Sequence, residues 1–160
     1  RDLLMFGRYP YHQGRPSEND KAIVENALAS FQLQTFAERY LTELSGGQRQ
    51  RAMIAMVFCQ QTDYVLLDEP LNNLDMYYAR NLMQLLRRLT DEHSRTTVVV
   101  LHDINQAAAY ADHVVAMKGG RVAMTGHPND VFTAANIREL FDMDVDVLDY
   151  KGRKLVVHHV

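Results

Sequence analysis

The sequence predicts an α/β fold, with a mostly parallel sheet, flanking helices and a small helical subdomain. Tyr64-Val65-Leu66-Leu67 is a short apolar run that stops abruptly at Asp68-Glu69-Pro70, the pattern of a buried strand with acids at its exit. Thr96 to Leu101 is a second such run, β-branched and uninterrupted, as expected of a strand covered on both faces. Helical periodicity precedes, separates and follows the two.

Taken in order, Asp2 to Phe6 reads as helix, entered at Arg1 without a methionine, which points to an upstream part. Gly7 to Pro16 reads as a break between helices, because its glycines and prolines punctuate it and residues before proline are pushed to extended conformations. Ser17-Glu18-Asn19-Asp20 opens a helix with a capping-box-like pattern, and Ile23, Val24, Ala27, Leu28 and Phe31 give that helix an apolar face. A short helix is expected from Thr35 to Tyr40. Ser45 caps the next helix, whose apolar stripe is Ala52, Met53, Ala55, Met56 and Cys59.

Beyond the acids, Tyr78, Leu82, Leu85, Leu86 and Leu89 keep helical spacing, with Arg80, Arg87 and Arg88 on a solvated side. Asn105 to Ala111 reads as a short alanine-rich helix. His113–Met117 and Arg121–Thr125 flank Lys118-Gly119-Gly120 as a hairpin. Pro128 starts another helix, and Ile137, Leu140 and Phe141 continue the apolar pattern. Val145, Val147, Leu155 and Val157 alternate around Lys151-Gly152 as a terminal hairpin. Residues 1–62 are expected to form the helical subdomain, and residues 63–160 the rest of the sheet-bearing core with its hairpins.

A chain of 160 residues, nearly half apolar and about a quarter charged, is long enough to bury a core. Its net charge of −3 gives no footprint for nucleic acid. Cys59 is the only cysteine, so no internal disulfide can form, in agreement with a reducing compartment. No apolar run approaches the length of a membrane span, and there is no signal peptide. If a membrane is involved, a partner supplies it. His158-His159 could suggest metal, but neighbours on a strand diverge and no third ligand is near.

The stretch that organises the chain is Leu44-Ser45-Gly46-Gly47-Gln48-Arg49-Gln50-Arg51. Two glycines at a helix start lower its propensity while leaving backbone N–H groups unshielded. Those groups, the positive end of the helix dipole and a hydroxyl make an anion site, most naturally for phosphate. Ser-Gly-Gly alone fits a plain capped helix equally well, and Asp-Glu-Pro alone fits a polar turn. Asp68 and Glu69, being adjacent on a strand, point opposite ways and so serve different tasks. Such a pair suits phosphoryl chemistry, with one carboxylate for a magnesium shell and one for a water.

The two stretches are followed by Leu71-Asn72-Asn73-Leu74-Asp75 and later by Val98-Val99-Val100-Leu101-His102-Asp103. This order resembles the ATP-binding cassette (ABC) ATPases, with their signature sequence, Walker B strand, D-loop and switch histidine. Gly7-Arg8-Tyr9-Pro10-Tyr11-His12 resembles the ATPases of siderophore, haem and cobalamin importers. The phosphate loop G-x-x-x-x-G-K-[ST] appears nowhere, so the resemblance implies the later part of a P-loop NTPase-like domain, inactive alone.

The resemblance implies ATP and Mg²⁺ as ligands. It makes Asp68 the magnesium residue, acting through water, Glu69 the general base and His102 the switch residue that hydrogen-bonds the γ-phosphate. Ser45, Gly46, Gly47 and Gln48 become the signature that grips ATP held by the opposite subunit. Asp75 becomes the D-loop aspartate linking the two sites. Implied partners are a second ATPase subunit arranged head to tail, membrane permease subunits and, indirectly, a substrate-binding protein; the implied place of the subunit itself is peripheral, at the cytoplasmic face of the cell membrane. Two alternatives from the residues remain: an ABC-type ATPase not coupled to transport, or a truncated module without catalysis. Against a DNA-acting member stands the absence of sustained heptads before the signature.

Overall fold

The computed structural model describes residues 1–72 and 74–157. His158 and His159, considered above for metal, lie outside them. Packing divides the chain into two units, Arg1–Val100 and Leu101–Val160, each with its own core.

The first unit runs α1 (Asp2–Gly7), α2 (Tyr9–His12), α3 (Glu18–Ser30), α4 (Gly46–Cys59), β1 (Tyr64–Leu67), α5 (Met76–Glu92) and β2 (Thr96–Val99). Helix α1 lies against α4 at very short range. A Cβ on Gly7 would stand 2.2 Å from the Met56 carbonyl oxygen, so only glycine allows this approach. The expected break after Gly7 contains one helical turn, α2, because Pro10 falls in its first turn, where proline lacks nothing that a helix needs.

Arg8 is buried and holds this part together. Its Nε donates to Asp20 Oδ1 at 3.0 Å, and its Nη1 donates to the Cys59 carbonyl at 2.8 Å and to Gln61 Oε1 at 3.0 Å. The Tyr11 ring covers the guanidinium at 4.0 Å. Asp20 also completes the predicted capping box, accepting from the Ser17 N–H and hydroxyl while its own N–H donates to Ser17 Oγ.

The hydrogen bonds from Ser17, with the Arg8 contact, hold the Asp20 carboxyl down at about 2 against an ordinary 3.8. A carboxylate favoured in this way stabilises the fold above pH 4, and that contribution fades as pH falls towards 2. In thermal melts, the gap in melting temperature between the native chain and D20N is therefore expected to be widest above pH 4 and to shrink below it. A gap independent of pH would contradict the assignment.

Several expected elements differ in detail. The helix foreseen from Thr35 is a 3₁₀ turn at Gln34–Phe36, followed by another at Leu41–Glu43. On α4 the buried face is Ala52, Ile54, Ala55, Phe58 and Cys59, whereas Met53 is exposed. Phe58 meets Phe31, the residue that ends α3, edge to face at 5.4 Å, which turns the helix by about one position from the predicted stripe. Burial also pushes the Cys59 thiol up to about 11, consistent with a core residue. Helix α5 buries Ala79, Leu82, Met83, Leu86 and Leu89; on its outer side Arg87 and Arg88 pair with Asp91 and Glu92 one turn on.

β1 and β2 pair in parallel, Leu67 opposite Val99, and Val65 and Leu67 turn inward. The other face differs from the expected double cover. Tyr64, Leu66, Val98 and Val100 are 67, 72, 50 and 47% exposed, because the strands alternate and only one face is packed by helices of this unit.

The second unit contains α6 (Ile104–Tyr110), the hairpin β3 (Val114–Lys118) and β4 (Arg121–Gly126), α7 (Pro128–Val131), α8 (Ala134–Phe141) and the hairpin β5 (Asp146–Tyr150) and β6 (Arg153–Val157). Gly119 and Gly120 both take positive φ, as a two-residue turn between twisted strands demands. Ala108, Val131, Phe132, Ile137 and Val156 form the core, so α6 is wrapped by the terminal hairpin and by α7 and α8. No helix among the described residues is long and apolar enough to cross a membrane.

Candidate functional site

Ser45 caps α4 in extended conformation. The Gln48 N–H donates to Ser45 Oγ at 3.4 Å, and Gln48 Oε1 accepts from the Ser45 N–H at 3.0 Å. This reciprocal box satisfies one end of the helix start and leaves the N–H groups of Gly46 and Gly47 ahead of the intrahelical ladder. Both glycines have ordinary negative φ, and a Cβ on Gly46 would meet nothing within 4 Å. The fold gives Gly7 a reason to be glycine, but it gives Gly46 none. Glycine is disfavoured in helices by up to about 1 kcal/mol relative to alanine, and its lack of a side chain leaves that tip open to approach from outside.

Beside this tip lies the start of α5. Asp75 caps that helix by accepting from the Tyr78 N–H at 2.9 Å. A Cβ on Gly47 would stand 3.4 Å from Leu74 Cδ2 and 4.0 Å from Tyr78 Cγ, so the predicted signature and D-loop are neighbours. The starts of two helices, of 14 and 17 residues, thus lie near each other, and each carries a positive dipole end.

Asp68 and Glu69 follow β1, and the Val100 N–H donates to the Leu67 carbonyl at 2.9 Å, so both parallel strands end at the same edge. Asp68 is exposed and Glu69 half-buried. Glu69 takes the left-handed backbone, with φ at 47°, a conformation rare outside glycine and often found at functional turns. Its carboxylate accepts from the Asn72 side-chain amide, and its carbonyl accepts from the Asn72 N–H at 3.2 Å. Asn72 therefore orients Glu69. Sequence reading gave Asn72 no such role, since an asparagine after Asp-Glu-Pro reads as ordinary turn chemistry.

His102 belongs to the second unit, where it is exposed just before Asp103. Asp103 caps α6, its Oδ1 accepting from Asn105 and Gln106 N–H at 2.8 and 3.2 Å. The two residues open on a groove of about 560 Å³ whose far wall is Phe141, Leu155 and Val157. Among the described residues, no three His, Cys, Asp or Glu side chains cluster as a metal cage. Asp68, an exposed carboxylate at the strand exit, is the kind of oxygen donor that Mg²⁺ takes from a protein while keeping most of its waters.

A family model described as "ABC transporter" matches residues 4–72. The petrobactin import ATP-binding protein YclP of Bacillus subtilis is 44% identical over 158 residues, 99% of this chain and 63% of that protein. The ferric enterobactin transport ATP-binding protein FepC of Escherichia coli is 37% identical over 161 residues, 98% of this chain and 59% of that protein. A solved metal-chelate type ABC transporter in an inward-facing conformation superposes with a TM-score of 0.87 at 28% identity, covering 98% of this chain and 65% of that one. The chain thus spans about three fifths of the length of the curated relatives it matches. With the signature, the acid-ended strand and the capped D-loop in their order, the chain is similar over nearly its whole length to the ATP-binding proteins of ABC transporters.

Proposed function

We propose that the chain is the later part of an ATP-hydrolysing subunit that powers import of a ferric siderophore or related iron chelate. The observation that carries this is the open tip of α4, where Gly46 has no steric reason of its own to be glycine and sits on a capped, positively poled helix start. The printed functions of YclP and FepC support the iron-chelate part.

In this reading Asp68 holds Mg²⁺ through water, and the metal supplies charge neutralisation on the phosphates. Glu69 takes the proton of the attacking water, and His102 hydrogen-bonds the γ-phosphate. Ser45, Gly46, Gly47 and Gln48 offer their donors to the nucleotide of a second, head-to-tail subunit, with Asp75 linking the two sites. Phosphoryl transfer spreads negative charge over the moving group, so positioned donors do most of the catalytic work. Closure of two bodies on one phosphate then makes hydrolysis wait for assembly, and the same closure moves permease subunits at the cytoplasmic face of the membrane. A substrate-binding protein delivers the chelate to those subunits. Residues 1–62 act as the helical part that presents Ser45, and 63–160 as the part bearing the acids and His102.

The test uses both the whole subunit and residues 1–160. Deleting the gene is expected to abolish uptake of a ferric chelate, with recovery from the whole gene alone. Residues 1–160 are expected to hydrolyse no ATP and to bind it weakly, because their sequence contains no G-x-x-x-x-G-K-[ST] cradle. Calorimetry giving micromolar ATP affinity for residues 1–160, or unchanged uptake after deletion, would overturn the reading.

A further inference from the structure

His102 is followed at once by the cap of α6, so whatever fixes the first turn of α6 fixes the chain on which the imidazole stands. One side chain of that turn reaches across the unit. Asn105 Nδ2 donates to the Val156 carbonyl at 3.0 Å, and Asn105 Oδ1 accepts from the Val156 N–H at 2.8 Å. Val156 lies in β6 opposite Val147, is 2% exposed, and gives Asn105 both of its main-chain groups. An asparagine amide carries a donor and an acceptor side by side, as a peptide does, so here it acts as a one-residue strand partner. Without it, two buried main-chain groups of β6 would lose their partners. The same contact ties the groove wall at Leu155 and Val157 to the His102–Asp103 turn.

We propose that Asn105 is a positioning residue: it locks the turn carrying His102 to the edge of β6, so that the terminal hairpin sets where the imidazole stands. The proposal rests on the reading of His102 as the residue that meets the γ-phosphate. It adds that the hairpin, 51 residues further along the chain, is part of the machinery rather than a passive end.

The test compares N105A and N105D in the whole subunit, unlabelled for kinetics and isotope-labelled for spectroscopy. In N105A, kcat is expected to fall about tenfold with KM for ATP within twofold, the mark of misplaced rather than missing chemistry. The His102 imidazole resonance should shift or broaden, and the Val156 amide should exchange at least tenfold faster. N105D keeps the acceptor for the Val156 N–H but loses the donor to its carbonyl, and should fall between N105A and the native protein. It also carries the test if N105A does not fold. Fast Val156 exchange with native kcat and a native His102 resonance in either variant would overturn the proposal, as would a loss confined to KM. A native subunit without ATP turnover would instead refute the function proposed above, while the exchange and resonance data would still decide the role of Asn105.

Discussion

Replacing Glu69 by glutamine in the whole subunit is expected to lower ATP turnover by a factor of about 10² to 10⁴ and to change ATP affinity little. The substitution is nearly isosteric. A glutamine Oε1 can still accept from the Asn72 amide that holds the native carboxylate, so the turn at Glu69 and its left-handed backbone are retained. What disappears is the capacity to take a proton from water. The nucleotide contacts proposed for Asp68, His102 and an opposite subunit's signature do not depend on that capacity. The expected result is therefore a subunit that loads ATP and stalls with its dimer closed. Phosphate-release kinetics and nucleotide titration measure the two quantities separately. Turnover near the native level would show that Glu69 is not the base.

Gly46→Asp should separate stability from function in the opposite directions. Position 46 opens α4, a Cβ there meets no atom of the chain, and the backbone is ordinary for any L-residue. A carboxylate in a helix's first turn interacts favourably with the dipole, worth about 0.3–1 kcal/mol at an exposed site. The melting temperature should hold or rise slightly. That carboxylate would nevertheless occupy the place proposed for a phosphate, repelling it and covering N–H groups meant for it. ATP turnover in the whole subunit should drop by about 10²-fold or more, in line with the loss of one preorganised oxyanion donor. Thermal melts and turnover assays on one preparation decide the matter. A variant that is both stable and fully active would remove the α4 tip from the site.

What could be read from the residues was local and covalent in character. Ser45-Gly46-Gly47-Gln48 and the acids after Leu67 are short-range patterns, and their spacing survives into the structure as a helix start and a strand exit, whereas the capping of α5 by Asp75 was not foreseen. Contacts that depend on distant partners were not legible. Arg8 looks like one more charge in a turn, yet it is buried against Asp20 and the carbonyl of Cys59, 51 residues away. Asn105 looks like a helix-start residue, and only the return of β6 reveals its second task. Glu69 gives no sign of its left-handed backbone, because that conformation is enforced by its turn rather than by glycine. The rotation of α4, which hides Ile54 and Phe58 and exposes Met53, follows from a ring contact with Phe31 that periodicity alone does not contain.

The bare face of the two parallel strands has a practical consequence. Tyr64, Leu66, Val98 and Val100 form an exposed apolar stripe on a sheet that, among the described residues, is two strands wide and has no further strand on either edge. Such a surface is sticky towards its own kind, and strand edges template further pairing. Residues 1–160 produced by themselves will therefore tend to clump as concentration rises, and solubility rather than fold will set the working range for any experiment on them.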